Sequence, residues 1–305
     1  MRAMVLHGYG EPGVLRPEDL PIPQPGPGEV RVRVRAVSVN PIDTKWRRAG
    51  PYTTFPVVLG WDVSGEVDAL GPGVGDFAVG DRVHGMVRFP EEGRAYAEHV
   101  VAPAAHLARK PPELDHVHAA AMTLAALTAE QALSRMHVGP GQRVLIHAGA
   151  GGVGHFAVQL TKARGAVVLA TASAANGDFV RSLGADEVVD YRERPFEAQV
   201  GDMDAVLDAV GGDTQTRSFG VVRPGGHLVS IVGPSPPQDL AQQHGVRAER
   251  LLVQPSRSDL ERLGALVAAG QLRPHVSRTY ALEDVAQAHR ALETGRTVGK
   301  LVLLP

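Results

Sequence analysis

Three glycines spaced Gly149-x-Gly151-x-x-Gly154 follow directly on the apolar run VLIHA (144–148), a pattern that suits a backbone for holding a diphosphate. In a strand–turn–helix setting the first glycine makes the tight turn and the second lets the backbone approach a pyrophosphate. The third lets helix and strand lie close together. N–H groups at the helix start then face the anion, helped by the helix dipole. Residues 144–160, VLIHAGAGGVGHFAVQL, provide that setting, with a helix expected from Val153. Gly149, Gly151, Gly152, Val153 and Gly154 are the candidate cradle.

The second strand says which dinucleotide. A coenzyme with a free ribose 2′-hydroxyl usually meets a carboxylate at that strand's end, roughly 20 residues on. Here the strand AVVLATAS (166–173) ends at Ser173 with no acid. A small hydroxyl leaves room for a 2′-phosphate and donates to it, so NADPH is the expected coenzyme. Arg181 on the next helix and Arg192 after Tyr191 are candidate cations for that phosphate.

Missing residues bound the chemistry further. There is no cysteine, which removes disulfides, thiolate nucleophiles and cysteine-based zinc sites. Of the 13 histidines, only His116 and His118, beside Asp115, sit close together. That trio precedes a helical segment, where such residues are ordinary caps. His147 and His155 flank the glycine loop as scaffold, and no metal site is expected. Oxidising a simple alcohol needs an alkoxide, commonly formed on a metal or by a positioned base. Without metal ligands, the easier task is hydride transfer to an acceptor that is already electrophilic, such as a quinone or an α,β-unsaturated carbonyl. That task asks the protein for orientation, hydrogen-bond donors and exclusion of water.

The elements that must position these residues fall into two textures. Up to about residue 110 the chain is β-rich. VRVRVRAVSV (30–39) alternates as a half-buried antiparallel strand should, and short apolar segments at 57–60, 64–71, 79–85 and 95–103 follow between turns. A small barrel or sandwich is expected. After Pro111-Pro112 comes an apolar helical stretch (118–136), then alternating strands and helices: 143–148, helix 153–164, 166–173, helix 177–183, 187–190, 204–210, helix 214–222 and 227–233. Apolar strands without alternation, separated by helices, predict a doubly wound parallel sheet. The run LLVQP (251–255) is read as an edge strand suited to pairing in a homodimer.

The chain's 305 residues suit two domains, and its net charge of −2 without basic blocks argues against nucleic acid as a partner. No apolar run approaches the ~18 residues of a membrane span. The opening residues lack the apolar centre of a secretory signal, so the cytoplasm is the expected compartment.

The chain resembles the zinc-independent medium-chain dehydrogenase/reductases, close to the NADPH:quinone oxidoreductases. The resemblance rests on VNPIDTKWRRAG (39–50), FPVVLGWDVSGEVDALGPGVGDFAVGDRV (55–83), AAAMTLAALTAEQAL (119–133), HAGAGGVGHFAVQLTKARGA (147–166), LGADEVVDYRE (183–193) and RPHVSRTYALEDVAQAHRALETGRTVGKLVLLP (273–305). It implies a GroES-like catalytic domain over 1–112 and 274–305, a Rossmann NADP-binding domain over 113–273, and an active cleft between them. Where zinc-dependent relatives carry a cysteine and a histidine ligand, this chain reads Asn40-Pro41-Ile42-Asp43 and Gly60-Trp61-Asp62. The resemblance further implies that Asn40 and Asp43 line the cleft near the nicotinamide and that Thr128 lies near the nicotinamide or phosphate. It also implies that Ser173 and Tyr191 receive the 2′-phosphate, and that Val232 and Gly233 offer backbone groups to the carboxamide. Trp46, where many relatives have tyrosine, is read as a pocket wall. Local readings stand beside these: Asn40 before Pro41 as a turn residue, and Asp43 as the cap of TKWRRAG. The expected activity is NADPH-dependent reduction of quinones or other activated carbonyl or enone acceptors. Alternatives are an alkenal/enone double-bond reductase, or a crystallin-like NADPH-binding protein with little turnover.

Overall fold

A computed structural model describes all residues from Met1 to Pro305. The chain divides into two compact units, Met1–Leu127 with Gln254–Gly270 and Pro274–Pro305, and Thr128–Val253 with Gln271–Arg273.

The first unit is built on the strand Glu29–Val39, which pairs antiparallel with Asp62–Leu70, His99–Pro103 and Lys300–Leu304. Its alternation works as the sequence predicts. Val30, Val32 and Val34 are buried in the core, while Arg31 and Arg33 reach Asp68 and Glu66 on the neighbouring strand at 2.8 and 2.5 Å. Each valine buried there contributes about 1.5–3 kcal/mol, whereas ion pairs at or near the surface contribute about 0–1 kcal/mol. The valines therefore set the register. A second, three-stranded sheet joins Leu15–Asp19, Arg2–Leu6 and Val57–Val58. Two strands are shorter than expected. The 57–60 segment forms a strand only over Val57–Val58, and the 95–103 segment only over His99–Pro103, with a single isolated bridge from Ala97 to Ala3 before it. Ahead of the latter, the N–H groups of Ala95 and Tyr96 turn instead to the carbonyls of Gly60 and Leu59.

The second unit holds a six-stranded sheet in the order Glu187–Asp190, Val167–Ala172, Arg143–Ile146, Met203–Asp208, Val222–Ser230, Arg247–Arg250. Every neighbouring pair is parallel. Beginning at Arg143–Ile146, the chain lays down strands to one side and then returns to continue on the other. The strand order of a Rossmann fold results, with its switch point between Arg143–Ile146 and Met203–Asp208. Ligands of such sheets bind outside the carboxyl ends of the strands at that point.

Residues 251–255 are not a strand, contrary to the sequence reading. Leu251 N–H still donates to Ser230 O at 2.8 Å, but the adjacent strand ends at Ser230, so the ladder has nothing further to pair with. The edge strand is Arg247–Arg250. The helix expected over 214–222 is Gly212–Ser218, and Val222 already opens a strand. No helix is long and apolar enough to cross a membrane.

Candidate active site

The glycine loop leaves Arg143–Ile146 and enters the helix Gly154–Ala163. The left-handed residue of its turn is Ala148 (φ 55°) rather than Gly149. Gly149 is needed for packing, because a Cβ there would lie 2.9 Å from the Ala170 Cβ on the second strand. At Gly154 a Cβ would lie 2.0 Å from the Ala148 carbonyl oxygen, and at Gly151 3.2 Å from that same atom. The loop is tied down by Ala148 N–H donating to Thr171 Oγ1 (3.0 Å) and Gly149 N–H to Thr171 O (2.9 Å). The N–H groups of Gly152, Val153 and Gly154 have no intramolecular acceptor, as a helix start leaves them. This arrangement fits a coenzyme diphosphate.

The adenosine-end candidates are also brought together. In the ladder between the second and third strands Ala172 stands opposite Asp190, so Ser173 and Tyr191 leave the sheet side by side. Ser173 is buried and Tyr191 is 49% exposed. The Arg192 guanidinium lies 5.7 Å from the Tyr191 ring centroid, and Arg181 is paired with Asp178 at 2.9 Å. Of the two candidate cations, Arg192 is the one held beside this pair. Val232 and Gly233 follow the strand Val222–Ser230 at the same carboxyl edge. Thr128 is buried in the helix His116–Arg135. That helix begins as the sequence suggests, with the Asp115 carboxylate accepting the His118 N–H at 2.8 Å.

Asn40, Asp43 and Trp46 belong to the first unit. Asn40 is the N-cap of the helix Pro41–Ala49, and the Asp43 carboxyl accepts the Asn40 N–H at 2.6 Å, so Asp43 takes part in the cap from the third helical position rather than ahead of the helix. Asn40 and Asp43 are 1% and 0% exposed. Both ends of the Asn40 carboxamide are occupied. Lys300 Nζ donates to its oxygen, and its Nδ2 donates to Asp62 Oδ2 at 2.8 Å. Asp62 also accepts from Ser38 Oγ (2.5 Å) and the Leu124 N–H (2.8 Å), with Lys300 Nζ 4.0 Å away. One ammonium thus serves the Asn40 carboxamide, the Val39 carbonyl (3.1 Å) and the nearby Asp62 carboxylate. Burial pushes Asp43 up to about 8, and Asp62 adds to the rise. Burial also lowers Lys300, against the pull of Asp62 and Asp43. The Tyr96 hydroxyl works against the rise at Asp43, although the second oxygen of Asp43 accepts no hydrogen bond of ordinary geometry.

Trp46, on the same helix as Asp43, packs into an aromatic group. Its ring meets Trp61 and Tyr52 edge-on, with centroids 4.9 and 5.5 Å apart, and lies nearly parallel to Phe89 at 6.4 Å. Trp61 is fully buried and donates through Nε1 to the Glu91 carbonyl at 2.7 Å. The Tyr52 hydroxyl is buried without a partner, and burial raises its pKa. Asp62, Lys300 and Tyr52 were not singled out by sequence reading. The available signals were a lone acid inside the apolar stretch VVLGWDVSG and a lysine opening the apolar strand KLVLL. No three His, Cys, Asp or Glu side chains come together in a way that could hold a metal ion.

Comparison with known proteins adds a second line of observation. Residues 26–112 match the family model for the alcohol dehydrogenase GroES-like domain, and residues 183–303 match the model named zinc-binding dehydrogenase. A quinone oxidoreductase from Coxiella burnetii superposes with a TM-score of 0.95 at 38% identity, covering 100% of this chain and 99% of the other. The Escherichia coli quinone oxidoreductase complexed with NADPH superposes with a TM-score of 0.91 at 29% identity, covering 100% of both chains. The NADPH-dependent alkenal/one oxidoreductase of Arabidopsis thaliana chloroplasts is 33% identical, over 100% of this chain and 80% of its own length.

Proposed function

This chain belongs to the quinone oxidoreductase family of the medium-chain dehydrogenase/reductases, as an NAD(P)H-dependent reductase of the quinone or alkenal kind, and from that premise we propose that it uses NADPH to reduce quinones and other activated carbonyl or enone acceptors without zinc. The observation that carries this reading is the adenosine end of the glycine-loop unit. Ser173 stands where an NAD site would place a carboxylate, with Tyr191 and Arg192 beside it. A hydroxyl and a guanidinium suit a 2′-phosphate; a carboxylate would repel it.

When bound, NADPH supplies the hydride. The chain's part is to bind and orient. Gly149, Gly151, Gly152, Val153 and Gly154 cradle the diphosphate, Thr128 supports the phosphate or nicotinamide, and Val232 and Gly233 offer backbone groups to the carboxamide. Asn40 orients the acceptor. Its amide is fixed by Lys300 and Asp62, and Asp43 holds its backbone. Trp46, with Tyr52 and Phe89, forms an aromatic wall suited to a planar acceptor. The functional domains we propose are 1–112 with 274–305 for the acceptor and 113–273 for the coenzyme, in a cytoplasmic protein.

The test follows NADPH absorbance, and separately NADH, with a simple quinone and then an enone, in the presence of a metal chelator. Faster NADPH oxidation with the quinone is the expected outcome. Turnover with the enone alone would move the chain to the alkenal reductases, a reading favoured by its likeness to the Arabidopsis enzyme. NADPH binding without turnover of either acceptor would leave a crystallin-like binding protein.

A further inference from the structure

Asp208 closes the strand Met203–Asp208 on the far side of the switch point from the glycine loop. It is fully buried, and the acceptor mechanism above makes no use of it. Its two oxygens serve four donors. Oδ1 accepts the N–H groups of Val210 (2.9 Å) and Gly211 (2.8 Å), shaping the turn that leaves its own strand. Oδ2 accepts Ser230 Oγ–H (2.7 Å) and Gln215 Nε2–H (3.3 Å).

Those last two donors reach the neighbouring turn. Ser230 is the register partner of Asp208 and receives the Val232 N–H on its Oγ at 3.4 Å. Gln215 Nε2 also donates to the Pro234 carbonyl at 3.3 Å. The two turns touch, since a Cβ on Gly211 would lie 2.9 Å from Val232 Cγ2. One carboxylate therefore sets the backbone of 210–211 directly and that of 232–234 through two side chains. Both turns lie at the carboxyl edge where such sheets take their ligands.

We infer that Asp208 is the positioning residue for the nicotinamide half of the coenzyme, holding Val232 and Gly233 where the ring's carboxamide meets the backbone. This rests on the NADPH reading above. The role needs an acceptor at every lone-pair site. Asn at 208 has nearly the same shape but offers one oxygen and one amide nitrogen, so one pair of donors would face a donor and its turn would be released. The adenosine end, at Ser173 and Tyr191, rests on other strands and should be untouched.

The experiment compares wild type, Asp208→Asn and Ser230→Ala by titration with NADPH and with adenosine 2′,5′-bisphosphate, a probe of the adenosine end alone. In Asp208→Asn the Kd for NADPH should rise about tenfold, as expected for loss of a buried hydrogen-bonded contact, with the bisphosphate Kd within about twofold of wild type. Ser230→Ala should show the same selectivity to a smaller degree, and it decides the question if Asp208→Asn does not fold. Equal losses for both probes would mark a structural role and overturn the inference, as would no loss for either. Wild-type protein that binds neither probe would overturn the NADPH reading itself, and this inference with it.

Discussion

Asn40 and Lys300, 260 positions apart, meet in a buried hydrogen bond from the ammonium to the side-chain oxygen. The contact exists because the strand Lys300–Leu304 pairs antiparallel with Glu29–Val39, with Leu301 opposite Val39. Asp62 takes the other end of the Asn40 amide. The orientation of that amide is thus decided by two charged groups, neither of which needs to touch a substrate.

Removing the ammonium should be costly. Lys300→Met would leave the Asp62 carboxyl buried without its cation, and loss of one partner of a buried pair typically destabilises by about 3–5 kcal/mol. Urea unfolding at neutral pH checks this. An unchanged midpoint would mean that Asp62 is satisfied by Ser38, Asn40 and the Leu124 N–H alone.

Asp43 should give stability a pH dependence of unusual sign. Its carboxyl holds the proton up to about pH 8 in the folded chain, against about 3.9 in an unfolded one. The folded state therefore binds the extra proton between those values, and stability falls as pH rises. Buried His84, His147 and His289, pushed by burial to about 4, 4 and 3, act in the opposite direction, but only below the ordinary histidine value of about 6.5. Lys300, lowered by burial, also opposes Asp43 as pH rises, and the two groups act on each other, so the difference between wild type and Asp43→Asn reports the carboxyl together with its coupling to Lys300. From pH 6.5 to 8 that difference should change by up to about 1.4 kcal/mol per pH unit. Parallel profiles for the two proteins would contradict it.

Ser173→Asp should turn the coenzyme preference towards NADH by placing a negative charge against the 2′-phosphate. A fall of about tenfold or more in the NADPH:NADH ratio of kcat/KM is expected. An unaltered ratio would show that the adenosine pocket lies elsewhere.

The two nearby arginines should behave differently. Arg192→Ala should weaken NADPH by about tenfold while sparing NADH, because its guanidinium lies over Tyr191. Arg181, already paired with Asp178, should matter less than about twofold. Equal effects in binding titrations would refute this division.

Asn40→Ala should lower turnover by up to about 100-fold, the scale of a misplaced reacting group, with NADPH affinity changed far less. Coenzyme titration beside steady-state kinetics separates the two, and unchanged turnover would remove Asn40 from the site.

Features that depend on near neighbours in sequence were legible before folding. The valine–arginine alternation at 30–39 became a strand with buried valines, and the glycine spacing became a strand–turn–helix. A capping role for Asp43 could likewise be read from TKWRRAG, although not its place at the third helical position. Features created by pairing distant strands could not. Nothing local links Asp62 to Lys300, or Asp208 to Ser230, because each pair meets only once its strands are in register. The 251–255 segment shows the converse: an apolar run fit to be a strand is not one, because its neighbour stops at Ser230.

The three glycines of the loop would not decay at the same rate in a descendant that had lost all use for a coenzyme. Gly149 and Gly154 would persist, since a methyl group at either would collide with Ala170 or with the Ala148 carbonyl in a protein that merely had to stay folded. Gly151 would drift, because the one tight contact a methyl there would make is with that carbonyl, at a distance a small backbone shift relieves. In sequences of this kind, the middle glycine is the one whose retention reports a working nucleotide site.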